Sequence, residues 1–195
     1  MIRVFPVPAI FSSLQSTVNN RFQFYSNRLE LFLGGDILPG KRNILLIGIG
    51  NPFRRDDGVG CFIAREVKKR NFEDVSCREH RGEGIDLIEQ WKDCSTVIAI
   101  DAILCEEKPG TIFRYELPPD ELPKSVFACS THALNIADVI HLAKTLDRCP
   151  PKIIVYGIAG KNFEMGQGFS DEVQEAASKV VNRIVFELQY STSQK

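Results

Sequence analysis

A continuous apolar run, Ile44 to Ile47 and then Ile49, leads into Gly48-Ile-Gly50 and, a few residues later, two adjacent carboxylates, Asp56 and Asp57. Such a run reads as a parallel strand covered on both faces, which places this part of the chain in a layered α/β fold. Open α/β sheets keep their sites at the carboxyl ends of their strands. A buried strand that delivers paired carboxylates there favours an enzyme over a binding module.

Downstream of this strand, predicted at 43–49, strands and helices alternate. A helix is expected from Gly58 to Arg70, with Val59, Phe62, Ile63 and Val67 on one face. A strand at Val75 to Glu79 leads through Gly82 and Gly84 into a short helix, Ile85 to Trp91. Thr96 to Ile100 is a second buried strand, ending at Asp101. The next strand, Thr111 to Glu116, follows too closely for a parallel crossover, so the two are expected to pair antiparallel. Ser130 and Thr131 suit the cap of a helix over His132 to Leu146. Lys152 to Ile158 is the last strand, and a helix from Ser170, its cap, to Leu188 closes the fold. The sum is a three-layer α/β/α sandwich with a mixed, mostly parallel sheet. This domain is expected over 43–190.

Residues 1–42 differ in character. Up to Gln23 they carry no acidic residue, and Leu38-Pro-Gly-Lys41 reads as a linker. An acid-poor start with serines and arginine is compatible with a transit peptide. With only Arg3 and Arg21 before residue 28, a flexible extension, with a short helix around Gln23 to Leu33, is the favoured reading. A polar tail follows at 191–195. The formal net charge of -1 gives no reason to expect nucleic acid as a partner, and no apolar run approaches a membrane span. The six cysteines fall at wide spacings without a CxxC pair, as suits reduced thiols in a cytoplasmic protein. A monomer is expected.

Three polar residues from separate segments converge in this scheme: Asp57 after the first strand, Asp101 at a strand end, and His132 at a helix start. Two carboxylates and an imidazole make a three-ligand site, open to zinc, nickel, manganese or iron. A cation there can polarise a carbonyl and acidify bound water. Each residue also has a plainer role. Asp56 or Asp57 can cap the first helix, Asp101 can be a turn residue, and His132 a neighbour of a cap. His80 is a candidate supporting group, with a structural role the leading reading, and His141 reads as a packed or solvated helical residue. Gly48-x-Gly50 resembles the opening of a dinucleotide fingerprint. The third glycine is replaced by Phe53, however, and carboxylates in the cradle would repel pyrophosphate. Paired-aspartate proteolysis by Asp56 and Asp57 is disfavoured because adjacent side chains rarely aim at one water.

Ile47-Gly-Ile-Gly-Asn-Pro-Phe-Arg-Arg-Asp-Asp-Gly-Val-Gly60 resembles the opening motif of the [NiFe]-hydrogenase maturation endopeptidases. Val97-Ile-Ala-Ile-Asp-Ala102 resembles their second motif. Ser130-Thr-His-Ala-Leu134 is similar to their histidine motif, and Gly157-Ile-Ala-Gly160 to their loop after the last strand. The resemblance covers about residues 43–190 and leaves 1–42 without a counterpart.

It implies an endopeptidase that removes a carboxy-terminal extension from a hydrogenase large-subunit precursor after nickel insertion. Asp57, Asp101 and His132 would be the catalytic and metal-contacting positions, supported by Asp56, Asn51 and Gly50. Many relatives carry glutamate where this chain has Asp57, one methylene shorter. The metal would be the precursor's own nickel, touched transiently, with no permanent cofactor. Phe53 and Phe127 are candidates for docking the precursor. The competing readings are a nickel-sensing chaperone that does not cut, a nucleotide-binding α/β protein, and another metal-dependent peptidase on the same scaffold.

Overall fold

A computed structural model describes residues 43–82, 84–118, 120–123 and 136–192. The predicted amino-terminal extension, the cap at Ser130 and Thr131, His132, Phe127 and the end of the polar tail lie outside these residues.

Five strands form one sheet: β1 (Ile44–Ile49), β2 (Val75–His80), β3 (Thr96–Ile103), β4 (Ile112–Leu117) and β5 (Lys152–Ala159), in the order β2-β1-β3-β5-β4. All neighbours run parallel except β4, which is antiparallel to β5. The helices are α1 (Val59–Lys68), α2 (Gly84–Gln90), α3 (Ile136–Thr145) and α4 (Asp171–Thr192), and a 3-10 turn, Arg55–Gly58, precedes α1.

Side chains alternate across the sheet and divide the core in two, as the period of a strand requires. Leu45, Ile47, Val97, Ala99, Ile153 and Val155 face Trp91 and the apolar stripes of α2 and α3. Leu46, Ile98, Ile100, Ile154 and Ile158 face α1 and α4. Every residue of β1 is buried, which is why it reads as an unbroken apolar run rather than an alternating one. The architecture is the expected three-layer α/β/α sandwich with a mostly parallel sheet.

Two details differ from the sequence reading. The strand β4 does run against its neighbour, but that neighbour is β5, which inserts between β3 and β4. A short connection constrains direction without naming the partner. Strand β3 also continues past Asp101 to Ile103, because Asp101, Ala102 and Ile103 stay in register with Gly157, Ile158 and Ala159. Asp101 is therefore a residue inside a strand, not its terminator.

The chain leaves β1 for β2 on one side and returns to β3 on the other. The β1–β3 boundary is thus the switch point of the sheet, where open α/β folds form a crevice at the carboxyl ends.

Candidate active site

Both predicted carboxylates lie at this boundary. Asp57 is fully buried in the 3-10 turn after β1, and Asp101 is only 2% exposed in the last half of β3. Gly48 pairs with Ile100, so the positions after Gly48 and after Ile100 stand side by side. Glycines bring the turn this close. A Cβ on Gly60 would lie 2.4 Å from the carbonyl oxygens of both Ile49 and Ile100, and one on Gly48 would lie 2.1 Å from the carbonyl oxygen of Gly60. The start of α1 is thereby seated on the ends of β1 and β3, and the 3-10 turn packs against β3. Gly50, at φ +134, has a backbone conformation that suits glycine alone, and a Cβ there would overlap the Asp57 carbonyl.

Asn51 organises the loop around Asp57. Its backbone N–H donates to Asp57 Oδ2 at 3.0 Å, while its side-chain Oδ1 accepts from the Phe53 N–H at 3.0 Å. Arg55 enters the 3-10 turn at φ 47, a left-handed conformation uncommon outside glycine. Neither Asp56 nor Asp57 caps a helix: the 3-10 turn and α1 begin without side-chain caps. Their carboxylates are committed elsewhere, which corrects the plainer sequence reading.

Asp56 points away from α1, toward the loop after β5. Its carboxylate accepts the backbone N–H groups of Lys161 (2.9 Å), Asn162 (2.8 Å) and Ser170 (2.7 Å), and the Ser170 hydroxyl at 2.7 Å. Burial pushes this carboxyl up, but the hydrogen bonds from Ser170, Asn162 and Lys161 outweigh it and hold it below its ordinary value. Ser170 stands where a cap for α4 was expected, yet its hydroxyl is donated to Asp56. Further backbone bonds join the same segments: Arg55 N–H to the Gly166 carbonyl at 3.0 Å, Gly166 N–H to the Phe53 carbonyl at 2.8 Å, and Asp56 N–H to the Asn162 carbonyl at 3.1 Å. Asp56 is thus a structural staple, and a carboxylate accepting four hydrogen bonds is a poor proton acceptor.

Asp101 shares the face of β3 with Val97, Ala99 and Ile103, so its side chain lies on the α2 and α3 side of the sheet. Helix α3 is described from Ile136 onward. His132 itself lies outside the described residues. Among the described residues, no three His, Cys, Asp or Glu side chains gather into a set able to hold a metal ion. A three-ligand site here would need a contribution from beyond them.

His80 abuts the site through its backbone, its carbonyl accepting the Gly50 N–H at 3.0 Å. Its ring turns to α2 instead. Nδ1 accepts the Gly82 N–H at 2.9 Å, so the proton sits on Nε2 and is donated to Asp86 at 2.8 Å. His141 is exposed on α3.

The remaining chemistry narrows the choices. Cys61 lies beneath the loop, and burial, with Glu79 nearby, pushes its thiol up to about 12. Burial also raises Cys77, Cys94 and Cys149. These thiols stay protonated at neutral pH and are poor nucleophiles. The start of α1 does not form a phosphate cradle either. The Asn51 N–H is taken by the Asp57 carboxylate, and both aspartates are fully buried where pyrophosphate would lie.

Comparison with known proteins gives one consistent result. Residues 80–187 match the model of a family described as hydrogenase maturation protease. A Methanocaldococcus jannaschii protein assigned as a hydrogenase maturation protease is 31% identical over 157 residues, covering 76% of this chain and 97% of that protein. The hydrogenase 2 maturation protease of Escherichia coli is 24% identical over 153 residues, covering 76% and 92%. Among solved structures, a [NiFe] hydrogenase maturation protease of Thermococcus kodakarensis superposes with a TM-score of 0.59 at 25% identity, covering 79% of this chain and 97% of that one. The hydrogenase maturating endopeptidase of Escherichia coli superposes at 0.64 with 22% identity, covering 76% and 93%, and so shares the fold. The chain belongs to the hydrogenase maturation protease family, whose members are endopeptidases.

Proposed function

We propose that this endopeptidase removes the carboxy-terminal extension of a [NiFe]-hydrogenase large-subunit precursor once nickel has been inserted. The observation that carries the reading is the pair of buried carboxylates, Asp57 and Asp101, held at one carboxyl edge of the sheet. Two buried carboxylates brought to one edge of the sheet concentrate negative charge there, which favours engagement of a cation carried by the precursor.

In this reading Asp57, Asp101 and His132 contact the nickel that the precursor carries, so the metal arrives as part of the substrate. Asn51 fixes the orientation of Asp57, and Gly50 allows the loop to close over it. Water adds to the carbonyl carbon of the scissile peptide. The C–N bond breaks, leaving a new carboxyl terminus on the large subunit and a free amine on the released peptide. Asp56 holds the loop after β5 in place and takes no proton. The protein acts as a monomer in the cytoplasm, on a protein partner, without a resident cofactor.

The test is precursor processing by Asp101→Asn and His132→Ala variants, followed by a mobility shift on gels. Both are expected to fold and to leave the precursor uncut. Normal processing by both would remove the triad from the mechanism.

A further inference from the structure

The loops at the carboxyl edge carry a feature that the carboxylate site does not use. A parallel bridge pairs Arg54 with Gly166, so one residue earlier on each strand Phe53 stands opposite Met165. Both are large, apolar and open to solvent, at 56% and 73% exposure. Their backbones are not loose: the Gly166 N–H bonds to the Phe53 carbonyl at 2.8 Å, and the Asp56 carboxylate fastens Lys161, Asn162 and Ser170 on either side. Two further exposed apolar residues continue the series, Ile85 at 71% after β2 and Leu104 at 48% after β3. The segments that follow the four parallel strands therefore each carry an exposed large apolar side chain, Ile85 within the first turn of α2.

We infer that Phe53 and Met165 form the docking face for the protein substrate, receiving an apolar segment of its chain next to the bond to be cut. The inference rests on the proposed function and deepens it. A rigidly held apolar surface costs little ordering entropy when a partner binds, and aromatic and methionine side chains suit such contacts. Continuity with the carboxylates argues for the substrate as the occupant, because Phe53 stands on the same short loop as Asp57: its N–H is bonded to the Asn51 side chain, and the Asn51 N–H to the Asp57 carboxylate. The second exposed apolar pair, Phe186 and Tyr190, with ring centroids 4.2 Å apart on α4, lies on a different element and provides a matched control.

The experiment compares cleavage of a nickel-loaded large-subunit precursor by the wild type, by Phe53→Ser/Met165→Ser, and by Phe186→Ser/Tyr190→Ser. Because all four side chains are exposed, unchanged thermal melting is expected for both double variants. The docking variant should raise KM by about tenfold while kcat stays within about twofold, and the control should change neither. Equal KM for wild type and docking variant overturns the inference, as does an equal loss in the control. If the pair instead mediates self-association, the docking variant changes the sedimentation of the protein without changing KM, and the inference fails. Absence of cleavage by the wild type defeats the proposed function itself, a result distinct from any of these.

Discussion

Asp56 and Ser170, 114 positions apart in the chain, are joined twice: the Ser170 N–H donates to one carboxylate oxygen and the Ser170 hydroxyl to the other, each at 2.7 Å. This pair ties the loop after β1 to the start of α4 and sets the geometry of the candidate site from behind. Replacing Asp56 with alanine leaves the N–H groups of Lys161, Asn162 and Ser170, all in part-buried hydrogen bonds, without their acceptor. Hydrogen bonds to a charged group are worth about 1.5–3 kcal/mol each, so a loss of about 3 kcal/mol or more is expected in urea unfolding. A change below about 1 kcal/mol would mean that water or a rearranged loop replaces the carboxylate.

The same carboxylate makes a pH prediction. Asp56 is held below its ordinary value of 3.8 in the folded protein. Its contribution to stability is present in full above the unfolded value and is lost as pH falls through the lower, folded one. Acid unfolding of the wild type should therefore steepen below about pH 4, and Asp56→Asn should be less stable at neutral pH but lack that part of the slope. Parallel acid curves for the two proteins would contradict the assignment.

Close packing at Gly60 gives a third expectation. A methyl group there meets two carbonyl oxygens at 2.4 Å, and overpacking of this kind costs typically about 1–3 kcal/mol. Gly60→Ala should lose that much stability. It should also lower kcat, because α1 and the turn carrying Asp57 must shift off the sheet. Stability measured by denaturant and cleavage measured on the same preparation separate the two effects.

The burial of Cys61, with its thiol pushed up to about 12, predicts that it resists thiol reagents in the native protein. Iodoacetamide applied at neutral pH should leave Cys61 unlabelled, and no loss of cleavage should track its modification. Inhibition that tracks labelling of Cys61 would bring a thiol into the mechanism.

Much of this was legible in the chain because the informative residues are local. The run Ile44 to Ile49 announces a strand covered on both faces, whereas Gly48-x-Gly50 reads in the sequence only as the opening of a dinucleotide fingerprint, and the close approach at Gly48, Gly50 and Gly60 shows in the structure alone. The sheet partner of β4 was not legible, since nothing between Ile103 and Ile112 shows that β5 will insert beside β3. Nor was the end of β3, because Asp101 breaks the apolar run while its backbone remains in the ladder. The role of Asp56 could not be read locally: its partners Lys161, Asn162 and Ser170 are more than a hundred residues away. A carboxylate before a helix looks the same whether it caps that helix or staples a distant loop. Phe53 was ambiguous between core and surface, and its exposure follows only from the loop geometry set by Asn51 and Gly166.

The most direct test of the central claim is mass spectrometry of a purified large-subunit precursor incubated with this protein, with and without nickel loading. Loss of one defined carboxy-terminal peptide is expected from the loaded precursor alone, and no loss with Asp101→Asn. Cleavage regardless of nickel would contradict metal recognition by Asp57, Asp101 and His132. Binding of a competent loaded precursor without any cleavage would contradict the proteolytic role itself.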